Sequence, residues 1–352
     1  MNVNKNEQHS SFKPTLNSVN TKIISVGTYL PDQVMKSDNI MSEIKSDLHY
    51  DIPINWMSKS MGILERRLAP THFKPSDLAI PAAQKALDQS GIDPDCIDLV
   101  IFCGIERDRP EPATAHTIQA KLKLNANHAF DMSNACFGFM HSIETASHFI
   151  RSGAARYVLI CTGEIPSRVM LAAIDKLKKG VDPSSAKNII GALTVGDAGG
   201  AVILGASDID EDVGFKIFNT KTDSSHAQEC YYEKGLDGSV NGQMQMGKIV
   251  GASIWMHRKI INETLTMLGW DKFDWMLSHQ TGKRPYEKFQ SFSTVTEDRM
   301  IKTYDTLANI TSATFPVNFE KLMNTGTLKS GDKIGGIHSG SGLVVGEFGY
   351  QM

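Results

Sequence analysis

Short runs rich in β-branched residues alternate with amphipathic stretches along this chain, and the same order is played twice. In the first half the strand candidates are "KIISVGTYLP" (22–31), "DLVIFCGI" (98–105), "HAFDMS" (128–133), "RYVLICTGE" (156–164) and "GGAVILGAS" (199–207). Between them, "SDLAIPAAQKALDQSG" (76–91) reads as a helix capped by Ser76 with Gly91 past its end, and "TAHTIQAKLKL" (114–124) as another. After a polar, acidic break at "SDIDEDVG" (207–214) the plan restarts. It has a strand over 215–222, a long helix over 251–270, a strand over 274–280, helices near 284–292 and 312–324, and strands over 333–339 and 343–350. Such alternation specifies an α/β fold, here with two similar halves. The expected division is a flexible start over 1–20, a first half over 21–207 and a second over 208–352.

Bulk properties exclude several functions. A chain of 352 residues with 41% apolar content can bury a large core. Its formal charge of −3 is spread without a basic stripe, which argues against a nucleic-acid partner. The polar start lacks the layout of a signal peptide, and no apolar run reaches the ~18 residues of a membrane span, so a cytoplasmic protein without a membrane partner is expected. Five cysteines, odd in number and never spaced C-x-x-C, suit free thiols better than a disulfide framework or a zinc site. No metal or other cofactor is expected.

One of those thiols sits at a strand-to-helix junction. After "HAFDMS", the residues Phe137, Met140, Ile143, Ala146 and Ile150 recur at three- and four-residue spacing, the stripe of a buried helix ending at Gly153. Cys136 therefore falls at a helix N-terminus. There the unpaired N–H groups and the positive end of the macrodipole favour a thiolate and can hold an oxyanion on an acyl carbon. A small core cysteine would occupy the same place, and partner groups must decide. His279 ends a predicted strand and opens onto a loop with Lys283 and Arg284, the kind of position where α/β folds assemble sites. Asn309 precedes a helix expected to be capped by Thr311. The helical histidines His116, His141, His148 and His257 read as core or surface residues.

Together these stretches resemble the thiolase superfamily, and within it the β-ketoacyl-acyl-carrier-protein synthase III type of condensing enzyme. The likeness runs from about residue 22 to the end in the family's order: "WMSKSMGILERR" (56–67) is similar to its entrance segment and "SNACFGF" (133–139) to its nucleophile elbow. Further on, "VGDAGGAVIL" (195–204) is similar to the first-half closing strand, "SHQTGKR" (278–284) to the histidine loop, "ANITSATFP" (308–316) to the asparagine loop and "GGIHSGSGLVVGE" (335–347) to the glycine-rich turn. The resemblance implies a thiolase-like fold of two pseudo-symmetric halves in α-β-α-β-α layers, a homodimer, and an acyltransferase of fatty acid, polyketide or secondary metabolism. It implies acyl-coenzyme A or acyl carrier protein as the partner that brings the substrates. It also implies a catalytic set of Cys136, which becomes acylated, with His279 and Asn309 facing a second thioester. Trp56, Lys283, Arg284 and Gly340 would contact substrate.

Carbon–carbon bond formation between two thioesters explains the residue types. A cysteine thioester parks the first acyl group without losing its activation, and N–H donors stabilise the enolate of the second. Chain-initiating synthases generate that carbanion by decarboxylating malonyl thioester and carry phenylalanine where Glu111 stands. Glutamate in "EPATA" (111–115) resembles instead the head-to-head condensing enzymes of olefin biosynthesis, the pyrone synthases and the dialkylresorcinol and cyclohexanedione ketosynthases, where it acts as base across the dimer. A non-decarboxylative Claisen condensation is therefore expected, with a decarboxylating synthase, or an inactive partner subunit of a heterodimer, as the alternatives. Ser60 replaces an entrance arginine of the initiators, and His338 occupies a turn position that is often glycine.

Overall fold

The computed structural model describes residues 20–208, 211–234 and 240–352. The flexible start expected over 1–20 lies, except for residue 20, outside the described residues. The strands are β1 (Thr21–Tyr29), β2 (Gln33–Lys36), β3 (Glu65–Leu68), β4 (Ile97–Cys103), β5 (His128–Met132), β6 (Tyr157–Glu164), β7 (Ala198–Ala206), β8 (Gly214–Thr222), β9 (Cys230–Lys234), β10 (Val240–Met244), β11 (Trp275–Ser278), β12 (Lys333–Gly340) and β13 (Val344–Gln351). The helices are α1 (Ser37–Glu43), α2 (Ser46–Tyr50), α3 (Pro75–Ser90), α4 (Thr114–Leu122), α5 (Gly138–Arg151), α6 (Ser167–Lys179), α7 (Pro183–Ile189), α8 (Met246–Leu268), α9 (Lys283–Phe292), α10 (Tyr304–Leu307) and α11 (Thr314–Met323), with a π-helical turn at Trp56–Ser60.

Among the described residues nine strands form one sheet in the order β11-β12-β13-β8-β1-β7-β6-β4-β5. The order repeats. In the first half β4 runs parallel to β6, β6 antiparallel to β7 and β7 antiparallel to β1. In the second, β11 runs parallel to β12, β12 antiparallel to β13 and β13 antiparallel to β8. The halves meet through the single pair Thr21–Phe215 between β1 and β8, and the split near residue 208 falls in the β7–β8 connection. Among the described strands of this sheet, only β5, the strand that leads to Cys136, has no counterpart.

Five layers follow from what each face buries. α3 and α4 cover the outer face of the first half with Ala79, Ala82, Ala83, Ala86 and Ile118 against Val100, Phe102 and Ile203. α5 and α11 lie between the halves, where Phe139 and Phe315 stack at 5.8 Å and Phe315 meets Phe348 edge-on. Burying such a ring contributes about 2–3 kcal/mol, so this central cluster is what holds two half-sheets around one seam. α8 and α9 close the second half with Ile261, Leu265 and Phe289. The strands buried on both faces read as continuous apolar runs, which is why they were visible in the sequence.

Three local expectations are corrected. Ser76 does not cap α3: the helix starts at Pro75, the Asp77 carboxylate accepts from the Lys74 N–H at 2.7 Å, and the Ser76 N–H is taken by Asp108 at 2.9 Å. Thr311 does not cap α11: it has φ +52 and opens a short 3-10 turn, leaving Ala313 at the cap. His338 is within β12 rather than in a turn, and its ring packs against Phe315 and Phe348 in the central layer. Among the described residues no helix is long and apolar enough to cross a membrane.

Candidate active site

The nucleophile corner is built by the five residues between β5 and α5, 133–137. Ala135 takes the left-handed conformation (φ +46), which turns the chain sharply, and the Phe137 and Gly138 N–H groups donate back to Asn134 and Ala135 at 3.0 and 3.1 Å. Asn134 Nδ2 contacts His141 Nδ1 at 2.7 Å and pins the corner to α5. Behind it lies the Phe137 ring, which fits because residue 346 is glycine: a β-carbon there would stand 2.3 Å from that ring. Gly340 makes a similar close approach, with its β-carbon position 2.9 Å from Phe137 Cβ. The corner is thus wedged against β12 and β13 of the second half.

His279 follows β11 and continues its pairing, its N–H donating to the Ile337 carbonyl at 2.8 Å. Asn309 is fixed through its backbone: its N–H donates to Thr194 at 3.0 Å and its carbonyl accepts from Gly196 at 3.1 Å. Its side-chain oxygen accepts the Thr311 N–H at 2.9 Å, which leaves the amide nitrogen to serve the cavity. That side chain acts on the Cys136 thiol, drawing its pKa down.

Cys136, His279, Asn309 and Gly340 all line one cavity of about 310 Å³ whose remaining wall is mostly apolar, with Val195, Met244, Met246, Ile249, Phe289 and Leu343. A second cavity of about 540 Å³ adjoins it, with Ile105 and Tyr232 lining both. Burial is the leading electrostatic influence on both Cys136 and His279. It pushes the Cys136 thiol well above its ordinary range, seconded by the nearby Glu164, while the cysteine's own amide and Asn309 pull the other way. This corrects the expectation that the helix N-terminus would favour a thiolate: loss of water outweighs the dipole. The same burial lowers His279 to about 4, helped by His257, so its imidazole is neutral near pH 7 and can donate one N–H.

Other expected contacts lie elsewhere. Glu111 is exposed on the loop before α4 and does not line either cavity. Trp56 packs against the cluster formed by α1, α6 and α7, also away from the cavity. Lys283 and Arg284 are exposed at the start of α9, next to the lining residue Pro285. Sequence reasoning missed the β9–β10 hairpin, whose Cys230, Tyr232 and Met244 line the cavity, and missed Glu164. Glu164 ends β6 fully buried; its carboxylate accepts from the Ser312 hydroxyl and from the Ile105 N–H at 3.3 Å, and burial raises it to about 7. The hairpin offers no signal, because "CYYEKGLDGSVNGQM" (230–244) lacks a sustained alternation of apolar and polar residues.

Two family models match successive stretches of the chain. The 3-oxoacyl-[acyl-carrier-protein (ACP)] synthase III model matches residues 130–225, and its C-terminal model matches residues 266–350. The chain belongs to the 3-oxoacyl-[acyl-carrier-protein] synthase III family. It is an acyltransferase of the ketosynthase kind. Among curated members it is 28% identical to β-ketoacyl-[acyl-carrier-protein] synthase III 1 of Vibrio parahaemolyticus, over 92% of this chain and 99% of that one. It is 29% identical to the β-ketoacyl-[acyl-carrier-protein] synthase III of Neisseria meningitidis, over 89% and 93%. Solved structures with the same thiolase-like fold include cerulenin-bound OleA of Xanthomonas campestris (TM-score 0.88, 24% identity, 97% of this chain and 100% of that one). A cysteine-to-serine variant of OleA with bound lauric acid and lauroyl-CoA gives a TM-score of 0.87 at 24% identity, covering 95% and 99%. At that identity the OleA likeness speaks for the fold.

Proposed function

We propose that this synthase III family member joins two acyl thioesters by a non-decarboxylative Claisen condensation. The observation that carries the reading is the convergence of a buried thiol, the Asn309 amide and a neutral His279 on one mostly apolar cavity. In the first step Cys136 Sγ attacks the thioester carbonyl carbon, the bond to the leaving sulfur breaks, and the thiol proton passes to that sulfur through His279. In the second, the carboxylate of Glu111 from another copy of the chain takes an α-proton from a second acyl thioester. His279 and Asn309 hold the enolate oxygen with N–H donors, in a cavity whose low polarity strengthens both contacts. The α-carbon attacks the acyl-Cys136 carbonyl, the sulfur leaves, and a β-keto thioester results. Hydrolysis or cyclisation to a pyrone, resorcinol or cyclohexanedione precursor would follow. Acyl-coenzyme A or acyl carrier protein delivers the chains.

Exposure of Glu111 in a single chain supports its service across a homodimer, since a base for α-proton abstraction needs the shielding a partner cavity provides. The decarboxylating alternative is favoured by the name β-ketoacyl synthase III carried by the curated relatives. One incubation separates these readings: the protein with an acyl-coenzyme A and no malonyl donor. An acyl adduct on Cys136 together with a C–C-coupled product is expected. Coupling only after malonyl thioester is added overturns the non-decarboxylative mode, and absence of any adduct marks an inactive partner subunit.

A further inference from the structure

A second polar chain reaches the same cavity from the opposite side. Glu347 on β13, His257 on α8 and Ser339 on β12 are buried between the second-half strands and the outer helices, at 2%, 0% and 8% exposure. His257 Nδ1 stands 3.2 Å from Glu347 Oε1, and His257 Nε2 stands 3.0 Å from Ser339 Oγ. Ser253, one turn earlier on α8, adds its hydroxyl to Ser339 Oγ at 2.7 Å. Thr264 donates to the far carboxylate oxygen at 2.7 Å and receives Asn219 Nδ2 at 3.0 Å, so the glutamate is held from both sides.

Ser339 and Ser253 both line the cavity that holds Cys136. Their neighbour Gly340 is the residue wedged against Phe137, beside the nucleophile. Burying a histidine and a glutamate in a core costs more desolvation than an apolar pair of the same volume, so a chain of this kind that ends at a cavity calls for more than packing. The chemistry is that of a serine activated through histidine and carboxylate: Nδ1–H donates to Glu347, which fixes the tautomer and leaves the Nε2 lone pair to accept the Ser339 proton.

We propose that Ser339, His257 and Glu347 form a second acyl-accepting relay that hydrolyses acyl thioesters in the condensing cavity. Ser339 Oγ attacks the thioester carbonyl carbon while its proton moves to His257 Nε2. The C–S bond breaks and the leaving thiolate takes that proton. Water then attacks the serine ester, gives a proton to His257 Nε2, the C–O bond to serine breaks, and Ser339 recovers its proton. The net products are a free acid and a thiol. Glu347 touches no reacting atom and is a positioning residue. The substrate class, an acyl thioester, rests on the condensing function proposed above, whereas the relay itself rests only on the geometry.

An alkyl fluorophosphonate tests the relay without any thioester. Treating the full chain and its Cys136→Ala variant should place one phosphonyl group on the peptide containing Ser339 in both. Labelling should vanish in Ser339→Ala and slow about 100-fold in Glu347→Gln and in His257→Gln. A thioester measurement covers the case in which the buried variants misfold: Cys136→Ala given acyl-coenzyme A should still release free acid, and Cys136→Ala/Ser339→Ala should not. An unmodified Ser339 in protein whose Cys136 acylates normally, or equal acid release from the single and double variants, overturns the proposal. A labelled Ser339 in protein that couples no chains would instead refute the condensing function and leave the relay standing.

Discussion

Glu111 and Glu164 belong to two regions that treat a carboxylate in opposite ways. Glu111 stands exposed on the loop before α4, while Glu164 is sealed at the end of β6 with Ser312 and the Ile105 N–H as its donors. A proton-abstracting base needs a free lone pair beside the substrate and shielding from water. Glu164 has the shielding, but both of its oxygens are engaged, and what it holds is the Ser312 end of the stretch that carries Asn309. Glu111 has the freedom and lacks the shielding. In the proposed mechanism the base would thus be completed by assembly, whereas the oxyanion donors would be completed by folding alone.

The largest effect that sharpens this contrast comes from neither glutamate. Cys136→Ala should abolish acylation and lower coupling by on the order of 10⁴-fold or more, read as loss of the acyl adduct by intact mass. A coupling rate within tenfold of the unmutated enzyme would mean that neither region serves a covalent route. Next, His279→Ala and Asn309→Ala should each lower the coupling rate by about 100- to 1000-fold, the cost of one oxyanion donor, while in a single-turnover mass measurement Cys136 still becomes acylated in Asn309→Ala and does so more slowly in His279→Ala, which lacks the carrier of the thiol proton. Loss of acylation in Asn309→Ala would move that residue's main work to the first step, where it already draws the thiol's pKa down.

Glu111→Ala should then reduce acyl–acyl coupling about 100-fold and leave malonyl-driven coupling nearly intact. Mixing Glu111→Ala with Cys136→Ala chains breaks or secures the comparison directly. If Glu111 works across the dimer, mixed dimers regain coupling because one cavity has its own cysteine and the partner's glutamate. Two inactive proteins that stay inactive after demonstrated subunit exchange would place the action of Glu111 within its own chain, whereas full acyl–acyl coupling by Glu111→Ala alone would make Glu164 the candidate.

Legibility in the sequence followed burial and spacing. The strands that line the seam, such as β4, β6 and β7, showed because they are apolar on both faces, and α5 showed through its stripe from Phe137 to Ile150. Cys136, His279 and Asn309 could be singled out because each sits at an element boundary in a stretch that resembles a family motif, and the fold brings all three to one cavity. Glu164 was hidden because a carboxylate at a strand end looks like a solvated one until Ser312, 148 residues away, closes over it. The Ser339–His257–Glu347 chain was equally invisible, since its contacts span 82 and 90 residues and His257 reads as one more helical histidine. The thiol's protonation was misjudged for the same reason: the dipole at a helix start is a local property that sequence reveals, and desolvation belongs to the assembled cavity.

The smallest effect on rate is expected at Glu164, and it separates the two carboxylates by a different observable. Its pKa rises from an ordinary 4.5 to about 7 on folding, so between those values the folded chain holds a proton that the unfolded chain has released. Folding is then favoured most below pH 4.5 and loses stability as pH rises through about 7, by about 3 kcal/mol at roughly 1.4 kcal/mol per pH unit. Glu164→Gln, neutral at every pH, should remove this part of the slope and should change the coupling rate less than about tenfold, because the amide oxygen still accepts from Ser312 and only the longer Ile105 contact is lost. Urea unfolding of both proteins at pH 5 and pH 8 reads the difference. A variant with the same loss of stability across that range would assign the slope to other buried acids such as Asp197, which burial raises to about 6. A large fall in coupling with the slope removed would instead show that Glu164 does more than hold the asparagine loop.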